Sequence, residues 1–377
     1  MPQTNVQPNA AQPQRRRKVT KKQKTIMKIK GFFALLFMLA AFIGIIILVY
    51  KLFSHINFVK EMSKDDTAYT QLEGLPTQEE ADEEARKEEM RAVEIKISET
   101  EDCPIEMILD TPEFVMYDVT AGEMLYSKNG NERVYPASTT KIMTAILIMR
   151  YADADTVFTV GDEYDMVNKG SSLAGLEKGY QLDRDMILDA VMIPSGNDAS
   201  YTAAATIGRI LAGDEGEEMS AREAVQRFVD EMNNTAQEIG CKDTHFTCPD
   251  GFHDEDHYTT ALDMLRITLY SEQFPEIAAS GAKTYRDVTF LTGEDERWYN
   301  SNALLPEDND YYYMYAKGLK TGMTNEAGYC VVATAKRFGH ELIVVSMGAQ
   351  TQSIRWLNTI AMFDQGFVYV RENGGVE

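Results

Sequence analysis

Residues Tyr135 to Leu147 read YPASTTKIMTAIL, and the apolar run continues to Met149. A proline just ahead of an apolar periodic stretch marks a helix start. Side chains three apart on a helix share a face, so Ser138 and Lys141 should stand side by side in the first turn. A helix that is apolar all round belongs in a core. The stretch therefore predicts a central buried helix, near residues 139–150, with a serine and a lysine paired at its entrance. A serine hydroxyl is a weak nucleophile at neutral pH and needs a neighbouring base. A partly desolvated lysine near a second cation can be that base.

Outward from this helix the texture is that of an α/β (α+β) domain. Phe114 to Lys128 reads as two strands turning at Thr120-Ala121-Gly122. Helical patterns follow at Asp185–Met192, Asp198–Leu211 and Ala221–Ile239. Strands return over Tyr313 to Ala349, with a second hairpin turning at Arg337-Phe338-Gly339-His340. Arg355 to Tyr369 reads as a closing amphipathic helix. Strands at both ends with helices between them imply an antiparallel sheet assembled from distant pieces, with a helical region inserted.

Ahead of this domain, residues 1–30 carry nine Lys/Arg and no acid, in a chain whose formal net charge is −22. Residues 31–50 are free of charge and, at about 1.5 Å per residue, long enough for a hydrocarbon core of about 30 Å. The basic flank predicts a cytoplasmic N-terminus, a single transmembrane helix and everything after residue 50 outside. No small-x-small cleavage site follows Ile47, which favours an uncleaved anchor over a cleaved leader. Residues 51–103 are an acidic stalk, and the domain is expected over 104–377. So acidic a domain argues against nucleic acid, whose phosphates need a basic surface.

Ser-x-x-Lys occurs about once by chance in a chain this long. A second copy does occur, at Ser280–Lys283, with a strand-like run rather than an apolar helix after it. Ser138–Lys141 stands out by its company. Ser195-Gly196-Asn197 follows Pro194 in a loop between two helical stretches, and Lys320-Thr321-Gly322 opens the C-terminal strand pair. The order SxxK, SxN, KTG is that of penicillin-binding proteins and serine β-lactamases. The segments SGNDAS, FVDEMNNTAQEIGCKDTHFTCPDGF, HYTTALDM, WYNSNALL and GLKTGMTNEAGYCVVATAK extend the likeness. Over roughly 105–370 the chain resembles the serine-type D-alanyl-D-alanine carboxypeptidases, the low-molecular-mass penicillin-binding proteins.

The resemblance implies a five-stranded antiparallel sheet flanked by helices, with an all-helical lobe and a site in the cleft between them. It implies Ser138 as nucleophile, Lys141 as base, Ser195 as proton relay and Asn197 holding Lys141 and the substrate amide. It places a terminal carboxylate on Lys320 and Thr321, with Arg355 where these enzymes hold a carboxylate-binding arginine. The Met323 N–H would join that of Ser138 in stabilising the oxyanion. Gly322 is expected because a side chain there would block an approaching peptide backbone. The implied partners are a peptidoglycan stem peptide ending in D-Ala-D-Ala and β-lactams, at the outer face of a bacterial membrane. No cofactor or metal is called for. Where many relatives carry a second β-rich domain and a C-terminal membrane helix, attachment is expected to fall to residues 31–50.

Three other readings remain open at this point. A β-lactamase uses similar triplets but needs a glutamate in an ExxLN segment, and Glu231-Met232-Asn233-Asn234 lacks that spacing. A D,D-endopeptidase shares the residues, and a non-catalytic cell-wall-peptide sensor shares the fold. Asp250, His253, Asp254 and His257 lack the HExxH glutamate of a zinc site. Cys241 and Cys248 lie close enough in sequence to leave a bridge open in an exported domain, and Cys330 reads as a small buried hydrophobe.

Overall fold

The computed structural model describes residues 94–97 and 103–374, which fall in one compact unit spanning Met90–Glu377. Strands β1 (Glu113–Asp118) and β2 (Glu123–Lys128) form the first hairpin, and a 3₁₀ turn (Ala137–Thr140) leads into helix α1 (Lys141–Tyr151). The short strands β3 (Phe158–Thr159) and β4 (Gln181–Leu182) pair with each other. Helices α2 (Arg184–Met192), α3 (Asn197–Ala212), α4 (Ala221–Glu238), α5 (Ala261–Ser271) and α6 (Pro275–Gly281) follow. A second small hairpin joins β5 (Tyr285–Thr289) to β6 (Asp295–Tyr299). The chain closes with β7 (Ala316–Thr324), β8 (Gly328–Arg337), β9 (His340–Ala349) and α7 (Gln352–Glu372).

The main sheet has five antiparallel strands in the order β2-β1-β9-β8-β7, so the two ends of the domain meet at β1–β9 and β7 lies on an edge. Its strands are buried on both faces. Val115, Val332, Ile343 and Val345 face the helices α1 to α6, while Phe114, Met116, Ala333 and Val344 face α7. This alternation of period two explains the unbroken apolar runs in β8 and β9. Turn chemistry agrees: between β8 and β9, Phe338 (φ 53°) and Gly339 (φ 78°) are both left-handed, as a two-residue type I′ hairpin requires.

Helix α1 is buried on nearly every side, with Ile142, Ile146, Leu147 and Ile148 fully covered. It packs against α2, α3 and α5. The expected elements are present, with α7 starting a turn earlier than read. The Thr351 side chain caps it by accepting the Ile354 N–H, which moves Arg355 from the helix start into a buried position. The globular region also begins before residue 104. The Ile95 N–H donates to the Ile239 carbonyl at 2.9 Å, and Ile95 and Ile97 pack on the core. The basic segment 1–30, the span 31–50 and most of the stalk lie outside the described residues. Among the described residues no helix is long and apolar enough to cross a membrane.

The second Ser-x-x-Lys has a structural task. Ser280 and Lys283 both donate to the carboxylate of Asp189, a buried residue of α2, as does Arg286 from β5. Asp189 thereby ties the helical lobe to the small hairpin. Asp189→Asn should lower stability by about 1–3 kcal/mol in urea unfolding. Lys283→Ala, which removes a cation 42% exposed, should cost less than about 1 kcal/mol.

Candidate active site

The Ser138 turn is 3₁₀ rather than α-helical, and Lys141 is its C-cap and the first residue of α1. In a 3₁₀ turn residues i and i+3 nearly eclipse, which stacks the two side chains more directly than an α-turn would. Lys141 Nζ lies 3.1 Å from Ser138 Oγ. It also donates to Asn197 Oδ1 at 2.7 Å and to the Asp250 carbonyl at 2.7 Å. The last two are pure acceptors and must each take a hydrogen from the amine. A neutral amine has two hydrogens and one lone pair. With both hydrogens so engaged, the lone pair is left for the Ser138 hydroxyl.

Burial makes the neutral form accessible. Lys141 has no exposed surface, and burial pulls its pKa from 10.5 down to about 8, against the opposing pull of Asp250, Cys248 and Asp198. The sequence pointed to a second cation, Lys320, as part of the cause. The influence falls on Lys320 instead: burial first, then Lys141 and Arg355, hold its pKa well below 10.5.

Three backbone features bring the pieces together. Ala137, just before the nucleophile, is left-handed (φ 48°), as is Ser195 (φ 61°), a conformation that non-glycine residues adopt at a cost. A Cβ on Gly251 (φ 79°) would sit 1.9 Å from the Ala137 carbonyl oxygen, so only glycine lets the 250–252 segment reach the Ser138 turn. A Cβ on Gly322 would meet Pro136 O at 2.9 Å and Ser138 N at 3.0 Å. This is a reason for that glycine besides the one expected. The space it keeps free is filled by the nucleophile's own turn, which β7 approaches too closely for any side chain.

Asn197 opens α3, and its N–H donates to Ser172 O at 2.8 Å. The neighbouring Asp198 is fully buried and accepts from the N–H groups of Ala174 (2.8 Å) and Leu176 (2.9 Å), latching the 170–176 loop onto the helix start. Ser195 is buried, and its hydroxyl has no hydrogen-bond partner among the described residues. Lys320 is buried and donates to the Thr321 carbonyl at 3.1 Å, while the Thr321 hydroxyl pairs with Ser301. Arg355 is buried behind β7. Its Nη1 donates to Cys330 O at 3.2 Å and Gly322 O at 3.4 Å, and burial lowers its pKa from 12.5 to about 10.

A cleft of about 430 Å³ opens beside these groups, lined among others by Ser138, Asn197, Met323, Phe252 and the 170–172 loop. Ser138, Lys141 and Asn197 are thus joined by direct contact, and Gly322 and Met323 flank them. Sequence reasoning missed the Asp250 carbonyl and the packing role of Gly251, although the Asp-Gly pair is itself a turn signal. It also passed over Ser301. His257 has both ring nitrogens engaged: Nδ1 accepts the Thr247 N–H at 3.0 Å and Nε2 meets the Thr140 hydroxyl at 2.9 Å. Among the described residues no three His, Cys, Asp or Glu side chains group as a metal site. Cys241 and Cys248 are free thiols, turned toward Asp263 O and toward Phe252 O and His257 respectively, so no bridge joins them. Cys330 is buried in β8 as expected.

A family model described as D-alanyl-D-alanine carboxypeptidase matches residues 100–351. The chain belongs to that family. The carboxypeptidase relatives include DacF of Bacillus subtilis, 33% identical over 258 residues, covering 67% of this chain and 61% of that one. A Streptomyces D-alanyl-D-alanine carboxypeptidase is 30% identical over 257 residues, covering 65% of this chain and 83% of its own. This carboxypeptidase-family chain therefore spans about three fifths of the Bacillus protein's length. Among solved structures, that of a Streptomyces DD-transpeptidase superposes with a TM-score of 0.63 at 26% identity, covering 70% of this chain and 99% of that one. DacD of Francisella tularensis gives 0.61 at 25% identity, covering 72% and 74%.

If the contact between β7 and the Ser138 turn is what aligns the site, Gly322→Ala should push them apart. The variant should lose about 1–3 kcal/mol of stability. It should also lose labelling by a fluorescent penicillin under native conditions, where it remains folded by circular dichroism.

Proposed function

We propose that the chain is a serine D,D-carboxypeptidase that removes the terminal D-alanine from peptidoglycan stem peptides. The observation that carries this reading is the fully buried Lys141 amine, with a pKa near 8, standing 3.1 Å from the Ser138 hydroxyl. Neutral Lys141 takes the hydroxyl proton as Ser138 Oγ attacks the carbonyl of the penultimate D-alanine. The oxyanion develops against the N–H groups of Ser138 and Met323, helped by the positive end of α1. Ser195 passes the proton to the leaving amine, and its unpartnered hydroxyl is available for that. Water then hydrolyses the Ser138 ester.

Lys320 and Thr321 receive the substrate's terminal carboxylate. Arg355 acts differently from the expectation drawn for it. With its guanidinium on the Gly322 and Cys330 carbonyls, it steadies β7 and adds positive potential from behind rather than touching the carboxylate. β-Lactams present the same acylating carbonyl and leave a long-lived ester on Ser138. Residues 31–50 anchor the enzyme, with the domain on the outer face of the membrane.

The β-lactamase reading is disfavoured by Glu231, its one local candidate for a deacylating base. That carboxylate is occupied on α4 by the Tyr151 hydroxyl and by Arg150. The experiment is incubation of the full chain with a D-Ala-D-Ala peptide and, separately, a fluorescent penicillin. The expected result is D-alanine release and stable labelling, both abolished in Ser138→Ala. Labelling without release would support a sensor, and rapid drug hydrolysis a β-lactamase.

A further inference from the structure

A second pocket lies apart from the cleft and shares no lining residue with it. Its volume is about 420 Å³, and its walls are α3, α4, the 3₁₀ turn Asp162–Met166 and the segment 247–249. Tyr201 of α3 lines this pocket and is only 6% exposed, yet its hydroxyl has no hydrogen-bond partner among the described residues. A polar group left unpaired in so buried a side chain costs free energy, which a bound ligand recovers. Burial first, then the Asp250 carboxylate and Cys248, push the Tyr201 pKa up, so the hydroxyl stays protonated and available as a donor.

Two charged side chains line the pocket, and only one of them is compensated. Asp165 is taken by Lys178, whose Nζ donates to it at 2.7 Å. Arg222 of α4 is exposed and makes no hydrogen bond or ion pair among the described residues. Its charge reaches the Tyr201 hydroxyl, where it opposes the effect of burial. Met166, Val225 and Val229 supply the smaller, apolar part of a mostly polar lining. A free guanidinium and a free hydroxyl beside a short aliphatic wall suit a carboxylate on a small alkyl group. The segment behind them also serves the catalytic helix. Cys248 and Pro249 line the pocket, while the Pro249 carbonyl accepts the Thr144 hydroxyl at 2.5 Å and the Asp250 carbonyl accepts Lys141 Nζ at 2.7 Å. One strip of chain is thus both a wall of the pocket and the holder of the Lys141 amine.

We propose that this pocket is a regulatory site for a short aliphatic carboxylate, held by Arg222 and Tyr201, that steadies the 247–250 segment against Lys141. The carboxylate accepts from the guanidinium and from the Tyr201 hydroxyl, and its alkyl group lies against Val225 and Val229. A ligand favours whichever conformation binds it best. The conformation that forms this pocket is the one in which the Asp250 carbonyl orients the Lys141 amine toward Ser138. Occupancy therefore speeds acylation rather than blocking it. On the function proposed above, one carboxylate of this class is released at every turnover, namely D-alanine. That choice of occupant rests on the proposed function, whereas the pocket and its chemistry do not.

The test titrates the full chain with butyrate and, separately, with D-alanine, following binding by saturation-transfer NMR after benzylpenicillin has acylated Ser138 and filled the cleft. Arg222→Gln and Tyr201→Phe should each weaken binding about tenfold, the worth of one charge-assisted hydrogen bond, with circular dichroism unchanged. Unchanged affinity in Arg222→Gln, whose parent side chain is exposed, overturns the site. Butyrate should also speed acylation by a fluorescent penicillin about fivefold, the low end of allosteric couplings. That gain should vanish in Arg222→Gln while the basal rate stays. Slowing in both the wild-type chain and Arg222→Gln would place the carboxylate in the cleft instead, and binding without a change in rate would remove the coupling to Lys141. Tighter binding of D-alanine than of butyrate supports the released product as occupant, and the reverse overturns that choice in favour of a fatty acid. A chain that no penicillin acylates would count against the carboxypeptidase reading alone, with binding then read on the unacylated chain in the same two variants.

Discussion

The contact between Lys141 Nζ and Ser138 Oγ is the constraint on which the rest of the structure depends. Holding that amine wholly out of water moves its pKa from 10.5 to about 8, which corresponds to roughly 3 kcal/mol against the charged form. The same helix supplies the compensation. Ile142, Ile146, Leu147 and Ile148 are fully buried, and each contributes about 1.5–3 kcal/mol on leaving water. An apolar helix in the middle of the domain is therefore what makes a neutral lysine affordable beside the serine. The two strong acceptors, Asn197 Oδ1 and the Asp250 carbonyl, then orient the amine so that its lone pair meets the hydroxyl.

Orientation in turn needs three distant segments pressed against one short turn. The 250–252 segment comes in through Gly251, β7 through Gly322, and the start of α3 through Asn197. Two of these approaches are close enough to exclude a β-carbon, and the turn itself holds Ala137 in a left-handed conformation. Local strain of this kind persists only where the surroundings over-determine it. Here the surroundings are the five-stranded sheet on one side and the helical lobe on the other. Their junction is where the cleft opens.

Much of this was legible in the sequence because it rests on side chains with fixed spacing. The apolar run after Ser138 marked α1, and the three triplets in order marked the family. The Phe338-Gly339 turn and the strand-like runs on either side of the helical region marked the sheet. What was not legible rests on backbone groups. The Asp250 carbonyl carries no signature of being an acceptor, and a glycine's sequence does not say what lies against it, so the contact of Gly322 with the Ser138 turn could not be foreseen. Nor does spacing reveal where a guanidinium points: Arg355 lies thirty-five residues past Lys320 as the family pattern asks, yet it faces the carbonyls behind β7. The start of the domain was missed because Ile95 and Ile97 sit at the end of a strongly charged stretch.

The most direct measurement is the titration of the Lys141 side chain in the full chain. It can be followed by the ¹³Cε chemical shift after lysine labelling, with the resonance assigned from the Lys141→Arg variant. A midpoint near pH 8, well separated from the exposed lysines, is the predicted result. A midpoint above 10 would mean that the amine beside Ser138 is an ordinary ammonium at neutral pH, and the account of how this serine is activated would be wrong.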